Sequence, residues 1–241
     1  MKMIKNIKMF LRETRKYKPI SPQVNQAWKY FWQWWKTLDK NKTSIDYQLP
    51  WFTFNAIDFL NKNVKPDMQV FEFGGGGSTL YFLNKNCVVN TVEHNAEWFN
   101  LLKKTIAPRS YYTKWTGYHI KPEIGLIVEA LSPSNPTHYL STDEQFKNHN
   151  FKKYATKIAE YENNFFDVVL VDGRARPSCI VESIKKVKIG GYLIVDNTER
   201  EYYLKETNAL LDQEYTLVLN SYGPVPYTAN WFTQTTIWKR K

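Results

Sequence analysis

Within ten residues, Val70-Phe71-Glu72-Phe73-Gly74-Gly75-Gly76-Gly77-Ser78-Thr79 brings together a carboxylate, a block of glycines and two hydroxyls. A β-prone run over residues 68–73 stops at the glycines, and a helix-compatible run over 78–84 follows, so the stretch reads as strand, tight turn and helix. Glycines let the main chain turn sharply and approach a ligand closely. The helix N-terminus beyond them offers unpaired N–H groups and a positive dipole end. Such a loop suits a polar, nucleotide-like group. Residues 90–94 read as the end of a second strand closing on Glu93, followed by His94. A carboxylate about 20 residues beyond the glycines is placed to accept hydrogen bonds from a ribose diol. A dinucleotide fingerprint, Gly-x-Gly-x-x-Gly, would put its third glycine at Thr79 and gives Glu72 no role.

Two later strands also end on acids. Residues 165–172 form the cleanest buried run and end at Asp172, which heads Asp172-Gly173-Arg174-Ala175-Arg176-Pro177. Residues 192–196 end at Asp196-Asn197, followed by Thr198-Glu199-Arg200. Ligands of open α/β sheets bind beyond the C-terminal strand ends, so these carboxylates are expected on one rim with Glu72 and Glu93. Adjacent strands lie about 5 Å apart. Asp172, Asp196 and Asn197 could therefore present three oxygens to one ion, and hard oxygen ligands suit Mg²⁺. Arg174 and Arg176 could stand where a metal would otherwise stabilise charge. They also suit a ligand carrying a carboxylate, a phosphate or a sugar diol. His94, His119, His138 and His149 show no zinc spacing, and neither a Gly-x-Ser-x-Gly elbow nor a Walker loop is present.

The order acid-x-Gly-x-Gly-x-Ser after two apolar residues resembles motif I of the class I S-adenosylmethionine (SAM) methyltransferases. That resemblance implies that Gly74, Gly76 and Ser78 shape the cofactor pocket, that Glu72 lies beneath the methionine end, and that Glu93, with His94 beside it, takes the ribose. Asp172 falls where the family keeps its motif IV. The acids at the ends of the fourth and fifth strands are distantly similar to the metal set of catechol O-methyltransferase-like enzymes, although Gly-Arg-Ala-Arg-Pro departs from them. From about residue 50 onward the chain looks more like an uncharacterised group of SAM methyltransferases with Val-Asp-Gly-Arg-Ala-Arg and Asp-Asn-x-Glu-Arg. The ending Trp231-Phe232-Thr233-Gln234-Thr235-Thr236-Ile237-Trp238 belongs to that resemblance. It implies SAM-dependent methylation, read here as O-methylation of a small molecule or glycan. Asp172, Arg174 and Arg176 would then face the acceptor, with Mg²⁺ as an optional partner. Two alternatives stand beside it. One is an aminopropyltransferase-like enzyme. The other is a non-catalytic protein of degenerate SAM fold that binds nucleic acid or a membrane surface.

The elements that must position these groups follow from pattern. Strands alternating with helices predict a Rossmann-like, doubly wound sheet. With the resemblance, this becomes a seven-stranded α/β sheet, mostly parallel with an antiparallel last strand, plus an N-terminal helical extension. The expected division is an extension over 1–48 and a SAM-binding domain over 49–241, with an insert at 132–162 near the acceptor site. The apolar run 124–131 is expected to be a buried third strand. In the extension, Ile4, Ile7, Leu11 and Thr14 share one face of a basic helix. Val24, Ala27, Trp28, Phe31, Trp32 and Trp35 recur at helical spacing, with Trp34 off the stripe. Much of the net charge of +10 sits at this end and reads as solubility or surface attraction, with contact to anionic membrane open to the first helix and nucleic acid disfavoured. Cys87 and Cys179 form no metal or disulfide pattern, and no apolar run is long enough to span a bilayer, so a cytoplasmic protein, membrane-associated through that helix if at all, is expected.

Overall fold

Val70, Phe71 and Phe73, together with residues 168–171 and 193–195, are fully buried. Strands covered on both faces must be apolar throughout, which is why these three read as continuous runs. The computed structural model describes residues 2–125 and 131–241. Its main sheet has seven strands: β1 (Gln69–Phe73), β2 (Val88–Glu93), β3 (Trp115–His119), β4 (Phe166–Val171), β5 (Val187–Asp196), β6 (Tyr215–Gly223) and β7 (Thr233–Arg240). They lie in the order β3-β2-β1-β4-β5-β7-β6. The first five run parallel, while β7 runs antiparallel to both β5 and β6. The order reverses between β1 and β4, and a ligand crevice is expected there.

Alternate residues of β1 serve opposite faces. Val70 packs with α4 (Phe54–Asn63), α5 (Gly77–Asn84) and the N-terminal segments, in a cluster that also takes in Leu170, Ile194 and Ile237. Phe71 and Phe73 join the other cluster, with Phe151, Tyr154 and Ile158 from the insert and Ile180 from α8 (Arg176–Ser183). Glu72 lies on the α5 side and is fully buried.

Several expectations are corrected. The third strand of the sheet is β3, not the run 124–131. Ile124 belongs to a two-residue ladder with His149 and Asn150 and is 84% exposed. Residues 126–130 lie outside the described residues. Strand β3 is a half-exposed edge of mixed polarity, Trp-Thr-Gly-Tyr-His, and so carries no apolar run to read. In α1 (Lys2–Tyr17) the buried face is Asn6, Met9, Phe10, Glu13, Thr14 and Tyr17, while Ile4 and Leu11 face outward. Glu13 is inward because its Oε2 accepts from Phe232 N–H at 3.2 Å. The tryptophan stripe is also displaced: Trp34 is wholly buried, with its Nε1 donating to Thr228 C=O at 2.7 Å, and Trp32 is 64% exposed. Pro22–Tyr30 forms a 3₁₀ helix before α2 (Phe31–Lys36) begins. Three residues per turn instead of 3.6 shifts every later side chain around the axis.

Candidate active site at the sheet rim

The glycine loop is held from below by Glu72. Its Oε2 accepts from Ser78 Oγ at 2.7 Å, and its Oε1 accepts from Thr91 Oγ1 at 2.7 Å and from Thr79 Oγ1. Thr79 Oγ1 in turn accepts from Gly76 N–H at 2.9 Å. A glycine at this position, as in the dinucleotide fingerprint, would remove both contacts. Burial pushes the Glu72 carboxyl up to about 7, against the pull of its three hydroxyl donors. The loop cannot carry side chains freely. Gly74 has φ of +93°, and a Cβ there would come within 2.9 Å of Gly173 Cα. At Gly77 a Cβ would lie 2.1 Å from the Leu49 carbonyl.

Beyond the loop, Glu93 ends β2 and turns its carboxylate toward the glycines. Oε2 accepts from Gly75 N–H at 3.1 Å, while Oε1 accepts from the N–H groups of His94 and Asn95 at 2.8 and 2.7 Å. His94 Nδ1 also lies 2.8 Å from Oε1. Burial pushes this carboxyl up, but the His94 ring and the backbone donors outweigh it and hold it below its ordinary value. Asn95 caps α6 (Ala96–Ile106) by accepting from Trp98 N–H at 2.9 Å. Trp98 Nε1 then donates to the Gly75 carbonyl at 2.6 Å and fixes the loop from above.

These parts enclose a cavity of about 860 Å³ at the switch point, within the usual range for a ligand site. Gly74, Gly76, Ser78, Glu93, His94, Asp172 and Arg174 all line it. Glu72 does not; it acts on the cavity through the loop. Walls absent from the sequence reading come from Trp98 and Leu101 of α6, and from Ser44, Trp51 and Tyr227. No local signal marks Ser44 or Tyr227, which distant segments deliver.

On the β4–β5 side, Arg176 occupies the place considered for an ion. Its Nε donates to the Gly173 carbonyl at 3.0 Å, and its Nη1 donates to the Asp196 carbonyl. Its Nη2 reaches both the carbonyl and Oδ1 of Asp172, at 2.9 and 3.1 Å. Asp196 is buried, and its Oδ1 accepts from Thr235 Oγ1 at 2.6 Å. Burial, the nearby Asp172 carboxylate and the opposing pull of Arg176 leave Asp196 well above its ordinary value. Asn197 takes φ of +57° where the chain turns away from the sheet. Arg176 thus takes Asp172 Oδ1 and the Asp196 main-chain carbonyl, and its positive charge between the two strand ends does not fit Mg²⁺. Among the described residues no group of three or more His, Cys, Asp or Glu is arranged to hold a metal. Asp172 keeps 21% of its side chain exposed toward the cavity, and burial pushes it up to about 6 against the pull of Arg176 and Arg174. Arg174 Nη2 pairs with Asp143 of the insert at 2.9 Å.

No family model matches the chain, and no curated protein matches it. Solved structures do. The chain is similar to a putative rRNA-methylase from Clostridium thermocellum at 10% identity and a TM-score of 0.53, over 80% of this chain and 97% of that one. It is also similar to TrmN from Thermus thermophilus at 10% identity and a TM-score of 0.50, over 77% of this chain and 48% of that one. The match therefore spans about half the length of TrmN. The fold is that of the class I methyltransferases. Within this methyltransferase fold, Glu72, the glycine loop, Glu93 and Asp172 stand at the C-terminal ends of β1, β2 and β4, and Gln145 and Phe146 of the insert line the cavity beside Glu93 and Asp172. Phe146 of the insert packs on the His94 ring with centroids 5.1 Å apart.

Proposed function

We propose that the protein is a SAM-dependent methyltransferase acting on an oxygen of a small molecule or glycan. The observation that carries this reading is the switch-point cavity, which the glycine loop and the Glu93 carboxylate both face. Its residues fit the cofactor. Glu93 Oε2, engaged by one backbone N–H, has capacity left for ribose hydroxyls. Trp98 and Leu101 offer an apolar wall for a flat base, with His94 beside it. Gly74, Gly76 and Ser78, at the positive end of α5, suit the methionine end, and Glu72 keeps them in shape.

When bound, SAM supplies a methyl group that its sulfonium already makes electrophilic. What remains for the protein is to hold the acceptor in line and remove its proton. Asp172 is placed for the second task. Arg176 holds its Oδ1, Oδ2 has no protein donor among the described residues, and a carboxyl near 6 is ionised at neutral pH. A polycationic acceptor, as an aminopropyltransferase needs, is disfavoured by the positive charges of Arg174, Arg176 and Arg200, all close enough to act on Asp172.

Calorimetric titration with SAM and with S-adenosylhomocysteine tests the reading. Both should bind, and Glu93→Ala should weaken binding by about 1–3 kcal/mol through a lost charge-assisted hydrogen bond. Tight binding of NADH without any response to SAM overturns it. Neither ligand binding would leave only a non-catalytic protein of this fold.

A further inference from the structure

A second cavity, of about 240 Å³, adjoins the first, and Gly173 and Arg174 line both. It is smaller than a site for a whole ligand, so it suits one group of a molecule that extends into the larger space. Arg174, Arg176 and Arg200 line it, and Asp143 is the one acid that does. The three guanidiniums are not equivalent. Arg176 is spent on the strand ends, as described above. Arg174 is half spent: Nη2 holds Asp143, while its buried Nε–H has no acceptor. Arg200 is exposed, has no carboxylate within salt-bridge distance among the described residues, and lies over the Tyr203 ring with Nη1 donating to Tyr203 Oη at 2.9 Å. Its Nε and Nη2 make no hydrogen bond among the described residues. Tyr202 Oη meets Thr142 Oγ1 at 2.7 Å and ties the insert across the opening. The N-terminus of α8 also reaches the cavity, through Ala175 and Pro177.

The buried Arg174 Nε–H is left without an acceptor until an anion arrives, and Arg200 beside it has charge and donors free to pair with one. We infer that this cavity binds an oxyanion of the methyl acceptor, a carboxylate or a phosphate, through Arg200 with Arg174 assisting. The acceptor's nucleophile is thereby directed past Arg174 toward Asp172. The inference rests on the methyltransferase reading for its assignment to an acceptor, but the anion site itself does not. It moves recognition away from Arg176, which has no comparable capacity to spare.

The test is calorimetric titration of the full-length protein with inorganic phosphate, with malonate and, separately, with S-adenosylhomocysteine. Arg200→Ala should weaken anion binding about tenfold or more and leave S-adenosylhomocysteine affinity unchanged. Arg200→Lys keeps the charge but not the fork. The anion that the wild type binds more tightly assigns the group, and Arg200→Lys should retain only part of that binding. If neither anion binds the wild type, or if Arg200→Ala binds both as well as the wild type does, the proposal is overturned. Anion binding without any affinity for S-adenosylhomocysteine overturns the methyltransferase reading and the acceptor assignment together.

Discussion

Glu72 is a carboxylate that the fold prefers protonated, and this gives it a signature in stability. Its pKa is raised in the folded protein to about 7, above the ordinary value it keeps when unfolded. Between these values the folded state binds more protons than the unfolded one, so stability falls as pH rises across roughly 4.5 to 7. A shift of this size corresponds to about 3 kcal/mol. Glu72→Gln should flatten that stretch of the profile, measured by urea unfolding at pH 5 and pH 7.5; an unchanged slope would assign the proton elsewhere. Asp172 has the same sign of shift and a different readout. With the carboxyl near 6, turnover should rise with pH through that value, and Asp172→Asn should lower kcat by about 10²–10⁴-fold. Asp172 was legible because it closes an apolar run, and Glu72 because it stands just before the glycines, and strand ends share a rim. The division of labour among Arg174, Arg176 and Arg200 was not. Spacing shows that a guanidinium is near the rim but not whether backbone carbonyls or open space face it.

At the scale of elements, Arg176 behaves as a clasp between the ends of β4 and β5. It donates to the carbonyls of Asp172, Gly173 and Asp196, and pairs with the Asp172 carboxylate. Arg176→Met leaves those acceptors and a mostly buried carboxylate without a partner, so it should cost about 3–5 kcal/mol in unfolding free energy. A variant of wild-type stability with only a weakened acceptor KM would instead make Arg176 a binding residue. Because the positive charge of this guanidinium lies between the two strand ends, EDTA should leave SAM affinity and turnover unchanged. The strands themselves were readable wherever both faces are covered, as in β1, β4 and β5. Legibility failed at β3, an edge strand with mixed side chains, and at the tryptophan stripe, where a 3₁₀ segment breaks the period that the reading relied on. The antiparallel last strand was expected from the family resemblance.

For the whole molecule, the N-terminal helices share one core with the sheet. Phe10 of α1 is fully buried, with ring centroids 4.8 Å from Phe232 and 5.3 Å from Trp34. Phe10→Ala should therefore cost about 3–5 kcal/mol, and removing residues 1–18 should expose core rather than detach an arm. That geometry also shapes the proposal that α1 contacts anionic membrane, since truncation would confuse loss of binding with loss of folding. The outward face of α1 carries Lys5, Lys8, Arg12, Arg15 and Lys16 beside Met3, Ile4 and Leu11, of which Ile4 is 59% exposed. Basic residues near an anionic surface contribute about 1 kcal/mol each, and apolar ones add to this where they enter the interface. No helix among the described residues is long and apolar enough to cross a membrane, so the contact proposed is peripheral. The full-length protein should float with vesicles containing phosphatidylserine and stay behind with neutral ones. It should be released as salt shortens the screening length below about 8 Å. Ile4→Glu combined with Leu11→Glu leaves the buried face of α1 intact and should abolish flotation without lowering the melting temperature or SAM affinity. Equal flotation of this variant and the wild type, or none by either, would remove the membrane from the account and leave the basic face to solubility alone.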